Sequence, residues 1–241
     1  MEIYMLAKKV INLLYPRRCP ICFEIVTKDE GMIHMRCRKL LTYIHDPVCL
    51  KCGKPIESSM KEYCSDCGRH HYTFNYGKAL WVYNQASSQS IFAYKYKGRK
   101  EYAGFYSQEL LKVHGQWLRS LNPDVIIPIP LNRRKQNIRG FNQAELVGKN
   151  IGTVLNIPID SSLLVRNRLT APQKELTPKE RLKNLEKAFS INAKNHHRYN
   201  RVLLIDDIYT TGSTIEACSK VLSMNGCNEI YFICLCIGQG Y

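Results

Sequence analysis

The chain has 241 residues, is 45% hydrophobic and carries 35 Lys and Arg against 20 Asp and Glu, a formal net charge of +15. This composition excludes collagen-like, disordered and membrane-channel proteins, and the length suits one large domain or a domain with a small appendage. A charge surplus of that size attracts polyanions such as nucleic acid, phosphorylated metabolites or an anionic membrane face, without choosing among them.

At the N-terminus, Ile3, Leu6, Val10, Leu13 and Leu14 recur at helical spacing, which predicts a short amphipathic helix over 1–18 covering the protein's own core rather than a membrane. Lys8 and Lys9 interrupt its apolar stretch and no small-residue cleavage site follows, so it does not read as a secretory signal. No run approaches the roughly 18 apolar residues of a membrane span. Seven of the eleven cysteines lie between Cys19 and Cys67 and the other four between Cys218 and Cys236. Without a signal sequence, that usage predicts a reducing, cytoplasmic protein rather than a disulfide scaffold.

Residues 19–75 are expected to form a zinc module. CPIC (Cys19, Cys22), HMRC (His34, Cys37), CLKC (Cys49, Cys52) and CSDC (Cys64, Cys67) repeat every fifteen residues, each pair enclosing two residues and eleven separating one pair from the next. Two ligands on a tight turn bind one edge of a tetrahedron, so four turns predict two structural zinc ions. The register makes His34 a ligand, because it stands where the period places a cysteine. The eleven-residue loops favour sequential closure, Cys19, Cys22, His34 and Cys37 at one site and Cys49, Cys52, Cys64 and Cys67 at the other, with a cross-braced pairing as the alternative. Gly53 and Gly68, directly after Cys52 and Cys67, are expected to take positive φ.

From residue 76 to 241 strands alternate with helices. WVYN at 81–84 ends a strand, 91–118 has a helical pattern broken at KYKGRK, 124–129 is a short apolar run, and Ala144, Val147, Ile151 and Leu155 share one helix face. Such alternation predicts an α/β domain with a parallel sheet flanked by helices, whose ligands bind beyond the carboxyl ends of the strands. The aromatic group Tyr94, Tyr96, Tyr102, Phe105 and Tyr106, interleaved with Lys95, Lys97, Arg99 and Lys100, fits two readings equally: stacking along single-stranded nucleic acid, or tyrosines packed inward with the cations in water. Cys218, Cys227, Cys234 and Cys236 read as buried core.

The most informative stretch is VLLIDDIYTTGST, 202–214. Residues 202–205 form a fully apolar strand expected to end at Asp206 and Asp207. TTGST then leads into a helix carrying Ile215, Cys218 and Leu222. Strand, hydroxyl-rich turn and helix N-terminus make a cradle of amides for a phosphate. Two carboxylates in front of an anion site make sense when the ligand also carries sugar hydroxyls or magnesium. The ATPase phosphate loop and the GxGxxG fingerprint are both absent.

This stretch resembles the phosphoribosyl pyrophosphate loop of type I phosphoribosyltransferases. The resemblance implies that fold for 76–241, with Asp206 and Asp207 on the ribose hydroxyls, Thr210, Thr211, Gly212, Ser213 and Thr214 on the 5-phosphate, and magnesium as cofactor. PIPLNRRKQNIRGFNQAELV at 128–147 and RNRLTAPQKELTPKERLKNLEKAF at 166–189 further resemble the ComF competence family, with its ComFC and GntX-like members. Together with the cysteine turns this likeness spans nearly the whole chain, His34 replacing a more usual cysteine. Arg133, Arg134, Lys135 and Arg139 follow a strand terminus, where they are placed to neutralise a pyrophosphate, Arg133 and Arg134 foremost. Thr170, Gln173 and Arg181 are the candidate ligand contacts of a segment expected to cover the site.

The resemblance implies a protein that binds phosphoribosyl pyrophosphate and acts in DNA uptake by handling single-stranded DNA, with a ComFA-like competence helicase as possible partner. The alternatives are an active phosphoribosyltransferase with an unknown acceptor, a non-catalytic ligand sensor, and a transcriptional regulator, although no helix-turn-helix segment stands out. Residues 78–241 hold 23 Lys and Arg against 12 Asp and Glu, a formal +11. Most of the cationic character therefore belongs to the half with the phosphate-binding turn.

Overall fold

The computed structural model describes residues 16–27, 29–167 and 188–238. The expected helix at 1–18, except for its last three residues, lies outside the described residues, as do Thr170, Gln173 and Arg181. In chain order the elements are α1 (Met35–Arg38), α2 (Ser65–Arg69), β1 (Tyr76–Val82), α3 (Gln85–Tyr96), α4 (Tyr102–Leu121), β2 (Val125–Pro128), α5 (Arg133–Arg139), α6 (Gln143–Leu155), β3 (Leu164–Arg166), β4 (Phe189–Ile191), β5 (Arg201–Tyr209), α7 (Ser213–Met224) and β6 (Glu229–Ile237).

Four strands form one parallel sheet in the order β1-β6-β5-β2, and β3 pairs with β4 in a separate antiparallel hairpin. The α/β architecture expected from the alternating pattern is present. Because side chains alternate along a strand, Leu203 and Ile205 enter one core and Val202 and Leu204 the other. Tyr94 of α3, Leu110 and Leu118 of α4 and Val147 and Ile151 of α6 fill the first core; Ile215, Cys218 and Leu222 of α7 fill the second. Burial on both faces explains why these strands read as continuous apolar runs rather than as alternation.

Each half of the cysteine-rich segment packs into one of these two cores. Cys19, Ile21, Ile33 and Cys37 join the first, Cys49, Cys52, Cys64 and Phe74 the second. Trp81 of β1 ties the connection together, stacked on Phe105 with centroids 5.8 Å apart and meeting the edge of Tyr43 at 6.1 Å. Arg38 of α1 donates to buried Glu109 of α4 at 2.6 Å, and Tyr43 donates to the same carboxylate.

Several expectations need correction. The strand through the acidic pair does not stop at Ile205: β5 runs to Tyr209, because β6 supplies a partner for it as far as Ile237. β1 ends at Val82, where Asn84 caps α3 in a reciprocal pair with Ser87. The basic stretch after β2 is helical, with Asn132 accepting from the Lys135 amide to start α5. Gly68 lies inside α2 with ordinary φ, while Gly53 does take a positive φ of 72°. The aromatic group divides: Tyr94, Tyr102, Phe105 and Tyr106 are core, and Tyr96 is exposed. The hairpin β3–β4 had no signal at the level of pattern, since each strand is three residues long.

Trp81 is fully buried against aromatic rings from two parts of the chain. Trp81→Ala is expected to destabilise the fold by about 3–5 kcal/mol, seen as a lower urea midpoint with an unchanged slope.

Candidate functional site

The cysteine turns converge as two clusters. Ligand atoms of Cys19, Cys22, His34 and Cys37 lie within 4.8 Å of one another, as do those of Cys49, Cys52, Cys64 and Cys67. Closure is therefore sequential, and each donor set, three thiols with one imidazole and four thiols, fits tetrahedral zinc with no open position. His34 presents Nδ1 to Cys22 Sγ at 3.2 Å and donates from Nε2 to the Ile25 carbonyl at 3.1 Å. That second hydrogen bond leaves the Nδ1 lone pair facing the thiols, as a metal-ligating histidine requires. Cys218, Cys234 and Cys236 take no part: burial pushes the first two thiols well above their usual range and the third to about 12, which keeps them protonated.

The second centre lies at the carboxyl end of β5. Asp206, in register with Cys234 of β6, and Asp207 are consecutive residues of β5, so their side chains leave on opposite faces. Asp206 accepts from the Asp207 amide at 2.8 Å. Burial, then the neighbouring Asp207 carboxylate, raises the Asp206 carboxyl far above the ordinary carboxylate value. On the other face, Lys95 of α3 reaches Asp207 with Nζ–Oδ1 at 2.7 Å, both side chains being largely buried.

The chain then turns through Thr210 and Thr211 into Gly212, the N-cap of α7, at φ 79°. Only glycine fits: besides its positive φ, a Cβ would overlap the Tyr209 hydroxyl, which is buried beneath the turn with no partner among the described residues. Thr210 and Thr211 are exposed and Ser213 and Thr214 half-buried. Thr211 and Ser213 share a hydroxyl hydrogen bond of 2.8 Å. First-turn amides of a helix lack intrahelical acceptors, so this turn offers donors and a positive dipole end to an anion.

The cations around the carboxylates are only in part those that spacing suggested. Arg133 and Arg134 are exposed on the first turn of α5. Lys95 and Arg166 act electrostatically on Asp206, and partial desolvation followed by Arg166, Arg139 and Lys95 lowers the Lys135 ammonium from its ordinary value. Arg139 lies 4.8 Å over the exposed Tyr96 ring, donates to its hydroxyl and donates to Gln143 at 2.9 Å. Lys95 was legible only as one cation among four in KYKGRK. Its pairing with Asp207 needs α3 folded against β5, which no local pattern encodes.

A model of the double zinc ribbon domain matches residues 10–68. Among curated relatives, the chain is 31% identical over 216 residues to Competence protein F of Haemophilus influenzae, covering 81% of this chain and 93% of that protein. It is 30% identical over 217 residues to the DNA utilization protein YhgH of Escherichia coli (strain K12), covering 83% and 94%. Among solved structures, a purine phosphoribosyltransferase from Pyrococcus horikoshii Ot3 aligns over 54% of this chain and 72% of that one, with 20% identity and a TM-score of 0.34, a likeness too loose to bear on the site.

Metal analysis of the purified chain is expected to return two zinc per molecule; one or none would dismiss the ligand set. The raised Asp206 carboxyl predicts a second outcome. A carboxyl whose pKa is raised by folding costs stability once the pH exceeds its unfolded value, and the cost is complete above its folded value. Asp206→Asn should therefore stabilise the chain by about 1–3 kcal/mol at pH 8, with the gain fading by about pH 4, in denaturant melts across that range.

Proposed function

Since the chain belongs to the ComF family of competence proteins, we propose that it binds phosphoribosyl pyrophosphate with magnesium at the carboxyl end of β5 and acts in the cytoplasm in handling single-stranded DNA during uptake. One observation carries the reading. Two carboxylates at the end of a buried parallel strand are followed within five residues by a turn that admits only glycine at the N-terminus of a twelve-residue helix.

In this reading Thr210, Thr211, Gly212, Ser213 and Thr214 hold the 5-phosphate, and Asp206 and Asp207 take the ribose hydroxyls. The carboxylate oxygens are the hard donors magnesium prefers, and the ion would neutralise charge on the pyrophosphate. Lys95 balances Asp207, so hydroxyls or a cation reaching that carboxylate compete with the ion pair. Arg133 and Arg134, joined by Lys135, Arg139 and Arg166, supply positive charge for the pyrophosphate. The DNA part of the reading is supported by the surplus cations of 78–241 and by the names of the relatives, a competence protein and a DNA utilization protein. A competence helicase is the partner that family membership suggests.

The cations gathered near Asp206 and Asp207 also favour a second reading, transfer of ribose 5-phosphate to an acceptor. Its cation-like transition state at the anomeric carbon would need mainly positioning and a neutralised pyrophosphate. Pyrophosphate release on adding candidate acceptors distinguishes it from binding alone.

Isothermal titration is expected to show magnesium-dependent binding of phosphoribosyl pyrophosphate that vanishes in the Asp206→Ala, Asp207→Ala double variant; undiminished binding would remove the assignment. Affinity for a short single strand should fall steeply with salt, by tenfold or more from about 50 to 200 mM. A flat salt dependence would count against the DNA reading.

A further inference from the structure

The second zinc cluster and the turn at 210–214 are joined by direct hydrogen bonds. Lys54, two residues after the ligand Cys52, is only 2% exposed. Its Nζ donates to Asp66 Oδ2 at 2.8 Å and to the Thr210 carbonyl at 3.3 Å. Asp66 lies between the ligands Cys64 and Cys67, so Lys54 bridges both turns of the cluster and the carbonyl beyond them. Tyr72 donates its hydroxyl to the next carbonyl, that of Thr211, at 2.8 Å. Thr73 clamps α7 itself, donating from its amide and its hydroxyl to the two oxygens of buried Glu216 at 2.7 and 2.8 Å.

Planarity of the peptide gives these contacts a consequence. In a trans peptide the N–H points opposite to the C=O of the same unit. Drawing the Thr210 and Thr211 carbonyls toward the zinc module therefore turns the amides of Thr211 and Gly212 away from it, to the open side of the turn. An aromatic stack keeps the backing rigid: Tyr72 stacks on Phe74 at 5.0 Å, Phe74 meets Phe232 edge-on at 5.0 Å, and Tyr209 lies flat on Phe232 at 4.8 Å, directly under Gly212. Burying a lysine is costly unless it is paired and hydrogen-bonded, and here the pair is used to hold a backbone carbonyl.

We propose that Lys54, Tyr72 and Thr73 are positioning residues that aim the amides of the 210–214 turn, so that the zinc cluster of Cys49, Cys52, Cys64 and Cys67 is the rear wall of an anion site and is energetically coupled to it. The coupling of the turn to the cluster stands on geometry alone; its effect on ligand affinity rests on the phosphoribosyl pyrophosphate reading above. Linkage makes the effect reciprocal: ligand on the turn slows loss of zinc from this cluster, and loss of zinc weakens ligand.

The test uses the full chain loaded with zinc. Hydrogen exchange followed by mass spectrometry compares the wild type with Lys54→Met, Tyr72→Phe and the double variant. With two zinc retained, exchange in peptides covering 208–216 is expected to rise by about tenfold or more in the double variant, a change worth about 1.4 kcal/mol, while β2 and α6 stay as protected as before. Lys54→Arg, which can keep both the Asp66 pair and the carbonyl contact, should restore protection. In the wild type, magnesium and phosphoribosyl pyrophosphate should slow zinc transfer from the second cluster to a chromophoric chelator, and titration should show an affinity about tenfold weaker in the double variant. Unchanged exchange at 208–216 in a fully zinc-loaded double variant overturns the proposal. If the double variant does not hold zinc, Tyr72→Phe alone, which removes one hydroxyl and keeps the stack, decides it by the same measurement. A wild type that fails to bind phosphoribosyl pyrophosphate sinks the ligand reading, and the exchange comparison still decides the coupling.

Discussion

The parallel pairing of β5 with β6 along nearly their whole nine-residue length is the constraint from which the rest of the molecule follows. It buries Val202 through Ile205 on both faces and forces the next two residues, although acidic, to remain in extended backbone with side chains on opposite sides of the sheet. Tyr209, the last paired residue, sits beneath the glycine at which the chain turns into α7. A strand that ended four residues earlier would leave the carboxylates in a loop, free to turn into water and without a fixed relation to the helix N-terminus. Pairing with β6 supplies that relation at the cost of desolvating one carboxyl, which accounts for its raised pKa.

The metal module follows from the same sheet. A four-stranded parallel sheet exposes two apolar faces, and each must be covered. Helices α3, α4 and α6 cover most of one and α7 part of the other, and the two halves of the cysteine-rich segment complete both. Stretches of eleven residues between ligand pairs are too short to close around a core of their own. Metal ligation takes the place of that core and lets each small loop present Ile21 and Ile33, or Phe74 just beyond the second, to the sheet. This arrangement also brings a zinc-bearing loop close enough to the turn after β5 for Lys54, Tyr72 and Thr73 to touch it.

Charge is distributed with the same economy. Around the end of β5 the structure sets two carboxylates among Lys95, Lys135, Arg139 and Arg166. Cations outnumber the carboxylates there, as they do over the chain as a whole, but both signs meet at one place. A site of mixed sign suits a ligand that carries both phosphate and hydroxyl or metal character, whereas a purely cationic surface suits any polyanion.

Much of this was legible in the residues. The fifteen-residue period of the cysteine turns determines the eight ligands, His34 included, because zinc accepts thiolate or imidazole at one spacing whatever surrounds it. The succession of apolar run, acidic pair and TTGST determines a strand, a tight turn through Gly212 and a helix, since glycine and short hydroxyl residues are what such a turn requires locally. What depends on distant pairing was not legible. The true length of β5 is set by β6, the inward packing of Tyr94, Tyr102, Phe105 and Tyr106 by the sheet they meet, and the partners of Lys95 and Lys54 by elements 112 and 156 residues away. Spacing along the chain specifies the chemistry a segment can perform. Only the folded chain decides which carbonyl a buried lysine holds and which carboxylate it neutralises, because those choices are made by groups that the sequence keeps far apart.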